Sequence, residues 1–518
     1  MTASPDTASA DLTLGMARGR WVLAATVLGS SMALLDSTVV NVALPTIGRS
    51  LHTSLGGLQW TVTGYTLTLA GLILLGGSLG DRMGRKKIFL VGVIWFALAS
   101  ALCGAAPDIG VLVGARVVQG VGGALLTPGS LAIIQASFAP DDRARAVGAW
   151  SGLGGVAGAA GPLIGGWLVQ AAGWRWVFLL NLPVAAVVIL VTVRHVPETR
   201  DTSATGGFDI AGAVLAALAL GGITYALIEA PEAASDPVGV AAAGVAGVAA
   251  AVAFVLVERR RTRNPGKVPA MLPLDVFASR QFTVVNIVTF LVYGALGGVL
   301  FLLVLQVQVV AGYSPVKAGT TLLPVTVLML AFSARSGSLA QRIGPRWPMT
   351  VGTAICAVGL LLMSRIGVNA SYLADVLPAV TVFAVGLTLT VAPLTATVLA
   401  SADVRHAGVA SGVNNAVARA AGLFAVAGIP AAVGLSAASY HSATRFNSGF
   451  DKAVVGCAAL LVVAAVLSAF LIRNNVLSAA AGEPSAVPEC KLNCALSAPP
   501  LEPTQAAGDP GASRPVPG

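Results

Sequence analysis

The sequence predicts an all-α integral membrane protein: fourteen transmembrane helices, as two six-helix bundles plus an inserted helix pair. Three observations lead there. Apolar residues make up 56% of the 518-residue chain and charged residues only 10%, where a soluble domain is about a quarter charged. Fourteen apolar stretches reach the roughly 20 residues that a bilayer core demands of a helix. One stretch also recurs 260 residues further on. So few charges cannot coat a water-soluble globule of this size, which excludes a soluble enzyme.

The apolar stretches run, in order, over 21–45, 57–79, 88–106, 109–131, 145–169, 174–193, 209–228, 237–257, 281–305, 316–334, 348–366, 373–398, 408–434 and 451–472. The first is too long for a signal-peptide core and lacks an A-x-A site behind it, so it is read as a retained helix. Residues 1–20 form a polar leader. Residues 474–518 are rich in Pro, Ala and Ser with no apolar periodicity, and are expected to be a disordered tail. The 60 Gly and 28 Pro sit largely within the apolar stretches, where membrane helices tolerate them.

Orientation follows from the basic residues, which concentrate on the cytoplasmic side of membrane proteins. With the N-terminus inside, inner loops and tails hold 23 of the 31 Lys and Arg, outer loops six, and helices two, Arg116 and Arg419. An even helix count then places both termini in the cytoplasm, in a multi-pass plasma (inner) membrane protein. The Ala/Gly-rich composition suits a bacterial membrane. The net charge of +9 is thus a topology signal. No basic run is interleaved with aromatics, so no nucleic-acid partner is expected. Cys490 and Cys494 have no His nearby, and no metal site is expected. No G-x-x-x-x-G-K-[ST] loop occurs, so ATP is not the expected energy source. His52, His195, His406 and His441 all fall in predicted loops, which leaves no His relay within the membrane.

The repeat aligns Ser78-Leu79-Gly80-Asp81-Arg82-Met83-Gly84, continuing to Val91-Gly92, with Ser338-Leu339-Ala340-Gln341-Arg342-Ile343-Gly344, continuing to Val351-Gly352. Six of fifteen positions are identical. The offset lays predicted helices 2–3 on helices 10–11. By extension, residues 21–200 form one bundle and 281–473 its copy, with helices 7–8 and a basic inner loop inserted over 201–280. Two parallel six-helix repeats with a substrate site between them is a transporter architecture.

Three motifs carry a more specific resemblance. The loop after helix 2 reads Gly77-Ser78-Leu79-Gly80-Asp81-Arg82-Met83-Gly84-Arg85-Lys86-Lys87. Its glycines allow a tight turn, and Asp81 can face helix N-termini; a solvated linker is the plainer alternative. Helix 4 carries Arg116, Gln119 and Gly120. Helix 5 carries Gly154, Gly158, Gly161-Pro162 and Gly165-Gly166, with Ala157 at the position four before the Gly-Pro pair. Small residues at this spacing let helices approach closely, whether for plain packing or to shape a hinge. These motifs resemble those of the major facilitator superfamily. Together with Leu35-Asp36-Ser37-Thr38-Val39-Val40-Asn41 to Pro45, Gln59-Trp60 to Tyr65, and Gly173-Trp174-Arg175 to Pro183, they are similar to the fourteen-helix drug:H⁺ antiporter family of the EmrB/QacA type. The resemblance covers roughly residues 20–475. It implies the major facilitator fold, a signature loop over Gly77, Gly80, Asp81, Arg82, Gly84 and Arg85, and an antiporter element in helix 5.

An ionisable side chain at membrane depth costs several kcal/mol and is a functional hypothesis by default. Asp81, Asp209, Glu229, Glu258 and Asp375 lie at predicted helix ends or in loops. Asp36 alone is deep. At 1.5 Å per residue it sits roughly 22 Å in from one face and Arg116 roughly 10 Å in from the other, at similar heights in a core about 30 Å thick. They are expected to pair, as a static ion pair, as a proton site, or with Asp36 contacting cationic substrate. Arg419 lies mid-helix 13 and either faces a cavity and an anionic substrate group or bonds to backbone carbonyls. Asn41, Gln59, Tyr65, Gln119, Tyr293, Thr390 and Arg419 are candidate cavity residues. The expected function is proton-driven export of drugs or amphipathic small molecules, with no cofactor beyond the proton gradient. A dedicated exporter of one metabolite, such as a self-made antibiotic, siderophore or lipid, is the alternative. A membrane-embedded enzyme or receptor is remote, for no catalytic constellation is seen at membrane depth.

Overall fold

The computed structural model describes residues 12–200, 207–232, 236–264, 268, 270–401, 407–440 and 442–477. Fourteen helices among them are long and apolar enough to cross a membrane. They are α1 (Ala17–Ser50), α2 (Leu55–Met83), α3 (Arg85–Ala105), α4 (Ile109–Ser137), α5 (Pro140–Ala171), α6 (Arg175–His195), α7 (Ile210–Glu229), α8 (Pro237–Arg263), α9 (Arg280–Val310), α10 (Pro315–Ile343), α11 (Arg346–Met363), α12 (Tyr372–Ala400), α13 (Val409–Ala432) and α14 (Ala443–Leu471). Each expected helix is present, and most run several residues past the apolar stretch. Polar termini extend beyond a hydrocarbon core at little cost, so hydropathy locates the middle of a helix better than its end. Eight helices are N-capped by side chains that accept from a backbone N–H three residues on: Ser54, Asp108, Asp209, Asp236, Ser279, Ser314, Ser371 and Ser442.

The packing of the first six helices recurs eight helices later. In the first bundle α1 packs on α5 and α6, α4 on α2 and α3, and α3 on α6. In the second, α9 packs on α13 and α14, α12 on α10 and α11, and α11 on α14. The link between the bundles obeys the same shift: α5 meets α10, and α13 meets α2. Even the turns match. Gly84 and Gly344, at the ends of α2 and α10, have φ of +111° and +85°, the region that favours glycine. Each faces a side chain three residues beyond the closing helix of its bundle, Glu198 after α6 and Asn474 after α14.

The inserted α7 and α8 pack on each other, and α7 leans on α2 and α13. Only 11% of the most apolar window of α8 is buried, against 61% in α1 and α9, so α8 turns most of its apolar surface outward. At its polar end Arg261 pairs with Asp209, and the buried Glu258 accepts from the Leu272 N–H at 2.7 Å.

The even helix count leaves residues 17 and 471 on one face of the molecule, called here the terminal face; the other is the far face. The expected polar leader is structured where it is described: Leu12 N–H donates to the Ser137 carbonyl and the Ala139 N–H to the Leu12 carbonyl, both at 3.0 Å. His52 occupies a turn, but His195 closes α6 and stacks on Trp21 at 5.4 Å. His406, His441 and the expected tail from residue 478 lie outside the described residues.

Candidate functional site

Inside the first bundle, four helices bring polar side chains to one dry point. Asp36 of α1 and Arg116 of α4 form an ion pair whose side chains are at most 1% exposed. The second Asp36 oxygen accepts from Gln119 Nε2 at 2.9 Å and Asn181 Nδ2 at 3.1 Å. Arg116 also donates to Gln119 Oε1 at 2.7 Å and to the Thr61 carbonyl of α2 at 3.0 Å. Asn181 donates as well to Ser100 Oγ of α3 at 3.0 Å. Every contact to Asp36 comes from a donor, the role a carboxylate accepts. The Arg116 guanidinium lies 4.4 Å from the Tyr65 ring centroid and 5.8 Å from that of Phe178. Asn181 was not singled out from the sequence as a site residue. Its signal was Asn-Leu-Pro within an apolar stretch; Asn181 lies on the face of α6 that meets α1 and α3.

Tyr65 separates this cluster from a cavity. Its ring lies on Arg116, while the residue also lines a 720 Å³ space between the bundles. That space runs from Tyr65 and Arg419 to Asp81 and Arg82 at the terminal face, with apolar walls from Leu34, Leu69, Ile73 and Val413. Its size suits a drug-sized ligand. A 280 Å³ cavity on the other side of α13 is lined by Tyr293, Thr395, Asn414 and Arg419. Ser411, Asn415 and Arg419 border both. Their spacing of four puts them on one stripe of α13, a pattern readable in the sequence.

On the far face the bundles close. Gln59 Nε2 donates to the carbonyls of Val426 at 2.7 Å and Ala427 at 3.0 Å. Pro430 lies four residues after Val426 in α13 and lacks the N–H that would otherwise occupy this carbonyl. Gln308 Nε2 reaches across in the mirrored sense to the Val42 carbonyl at 3.0 Å, in the turn of α1 before Pro45. On α5, Gly166 completes the closure against α10, while Gly161 and Gly165 pack on α1 within the same bundle. A Cβ on Gly166 would lie 2.5 Å from the Pro315 carbonyl oxygen, and one on Gly165 2.8 Å from Val39. A Cβ on Gly161 would collide with Thr38, and Pro162 meets Gly319 of α10.

Several expectations are corrected. Gly158 has nothing within 4 Å of a built Cβ, and Gly154 has only Leu34 at 3.8 Å, so close approach is confined to the Gly161–Gly166 end of α5. Asp81 does not face a helix N-terminus. It pairs with Arg85 at 2.8 Å, one turn on. The N-terminus of α3 is met instead by Glu198, which accepts from Lys86 N–H at 3.0 Å and Lys87 N–H at 3.2 Å. A carboxylate was needed there, but a distant one supplies it. Gly77, Gly80, Asp81 and Arg82 border the large cavity instead. Thr390 is sealed between α11 and α12, bonded to the Gly386 carbonyl at 2.8 Å. Gln119 belongs to the ion cluster; Gln59 belongs to the far-face closure and also borders a cavity of about 500 Å³ there, beside Thr53, Trp60 and Glu229. Asn41 is half-buried with its side-chain oxygen unpartnered and borders neither cavity. Of the seven candidates, Tyr65, Tyr293 and Arg419 line the two central cavities.

Residues 26–426 match the sequence pattern of the Major Facilitator Superfamily. The chain is 37% identical over 459 residues to the methylenomycin A resistance protein of Bacillus subtilis (strain 168), covering 88% of this chain and 95% of that one. It is 36% identical over 479 residues to the puromycin resistance protein pur8 of Streptomyces alboniger, covering 89% and 92%. It is also 36% identical over 420 residues to the multidrug resistance protein Stp of Mycobacterium tuberculosis (strain ATCC 25618 / H37Rv), covering 80% and 76%. Among solved structures, the fold is shared with a peptide transporter POT in complex with sulfate, at TM-score 0.64 and 13% identity over 91% of this chain and 100% of that one. It is shared too with a bacterial homolog of the human lysosomal transporter Spinster, inward-facing and unoccupied, at TM-score 0.61 and 18% identity over 90% and 99%.

Proposed function

The chain belongs to the Major Facilitator Superfamily, and on that premise we propose that it is a secondary active exporter exchanging protons for drugs or other amphipathic small molecules. The observation that carries this reading is the arrangement around Tyr65: a sealed Asp36–Arg116 cluster on one side, a drug-sized cavity on the other. The names of the resistance proteins it resembles support the choice of cargo class.

The terminal face is cytoplasmic, because basic residues concentrate in its loops and tails. The structure then corresponds to a loading state, open inward and closed outward. Cargo enters between the bundles and rests against Tyr65 and α13. Release of the Gln59 and Gln308 contacts and parting of α5 from α10 open the far face. The cluster rearranges with these helices, and Asp36, as the one carboxylate deep among the described spans, is assigned the proton carried inward on the return step. Return of the empty carrier re-forms the ion pair and delivers the proton to the cytoplasm. The proton gradient is the energy source, and no cofactor is involved. A second reading, export of one dedicated antibiotic, draws on two relatives named for single compounds.

The test is efflux from exporter-deficient bacteria of a panel that includes methylenomycin, puromycin and ethidium, with and without a protonophore. Energy-dependent efflux abolished by the protonophore is expected. Efflux of several unrelated compounds supports the multidrug reading, and of one alone the dedicated reading. A well-expressed protein that moves none of the panel contradicts the drug-export reading.

A further inference from the structure

We infer that the central cavity selects anionic or weakly acidic cargo, through an electropositive subsite formed by Arg419; this rests on the transporter reading and specifies its substrate class. Arg419 lies mid-helix in α13, borders both central cavities, and has no hydrogen-bond or ion-pair partner among the described residues. Its Nε is buried without an acceptor. The Tyr65 hydroxyl is not part of this subsite: it is buried against Gly123 of α4, which does not border the cavity. A guanidinium has only donors. Unpaired at the cavity wall, it fits an acceptor carried by the cargo: a carboxylate, phenolate or enolate.

The charge of the rest of the cavity agrees. Asp36 does not border it, being sealed behind Tyr65 by its own donors. Among the described residues the one lining carboxylate is Asp81, at the mouth, and Arg85 pairs with it at 2.8 Å. A lipophilic cation would therefore meet an unpaired guanidinium with no free carboxylate beside it. A planar acid would pair its charge with Arg419 and lay its apolar body on Leu34, Leu69 and Ile73. Charge-assisted bonds of this kind are about twice as strong as neutral ones. Leaving Arg419 unpaired costs least where its cavity admits water.

The probes are two dyes on the same xanthene frame with opposite charge, fluorescein and tetramethylrhodamine methyl ester. Binding to the purified full-length protein in lipid nanodiscs is read by fluorescence anisotropy at mildly alkaline pH. Fluorescein is expected to bind at least tenfold tighter than the cationic dye. Arg419→Gln should weaken fluorescein about ten- to a hundredfold while leaving the cation no weaker. Arg419→Lys should recover part of the loss. Equal binding of the two dyes, preference for the cation, or binding of neither overturns the inference; so does Arg419→Gln that binds fluorescein as the parent does. Proteoliposome uptake of the bound dye is measured in parallel. Charge-selective binding without any transport sinks the exporter reading and leaves the subsite standing.

Discussion

At the residue scale the account rests on Asp36 and on what surrounds it. Arg116→Ala is expected to lower stability by about 3–5 kcal/mol, because it strands a buried carboxylate; a thermal melt of the purified variant measures this, and an unchanged melting temperature argues against the ion pair. Asn181→Ala removes one donor to Asp36 and one to Ser100, and should cost about 1–3 kcal/mol in the same assay. The central pair was legible in the sequence, because a carboxylate and a guanidinium at matching depth in an apolar map have few places to go. Asn181 was not, because an amide in an apolar stretch is more often helix–helix glue, and only the packing of α6 on α1 and α3 shows what it meets. Thr390 misled for a related reason. A polar side chain on a membrane helix must meet something, but its type does not reveal whether that is cargo, a carbonyl or its own turn.

At the scale of the element, α5 offers the sharpest contrast. Gly158→Ala meets no neighbour and should raise stability by up to about 1 kcal/mol, through the better helix propensity of alanine. Gly166→Val drives a branched side chain into the backbone of α10 at Pro315 and should pry open the far face. Labelling of a cysteine placed at Val309 by a membrane-impermeant maleimide should rise in this variant; protection equal to that of the parent would place the closure elsewhere. Gln59→Ala and Gln308→Ala each delete a contact worth about 1 kcal/mol and should raise the same labelling, more together than singly. The sequence marked the whole glycine row as one motif. Spacing alone could not say which part of it touches a neighbour, since that depends on where α10 enters, and α10 is 150 residues away in the chain. The helix ends were blurred for a different reason: caps such as Ser54 and Ser442 set them, not hydropathy.

At the scale of the whole molecule, the fold was the most legible feature, because fourteen apolar stretches and one repeated turn leave little freedom to a chain in a membrane. The repeated Gly84 and Gly344 turns and the pairwise packing that recurs eight helices later are two expressions of one duplication. The proposed orientation predicts a topology. Reporter fusions after Arg473 and within 258–267 should report cytoplasm, and one within 437–450 the outside; a cytoplasmic signal from 437–450 would invert the assigned loading state. The claim on which the rest depends is that Asp36 couples cargo to protons. It is tested by reconstituting the protein and its Asp36→Asn variant in liposomes with an imposed pH gradient, using the first compound that the efflux panel identifies. The account expects the wild type to accumulate cargo against its gradient and to release protons in exchange. The variant should bind the same compound but neither accumulate it nor move protons. Proton-coupled accumulation by Asp36→Asn at the wild-type rate would contradict the account and remove Asp36 from the mechanism.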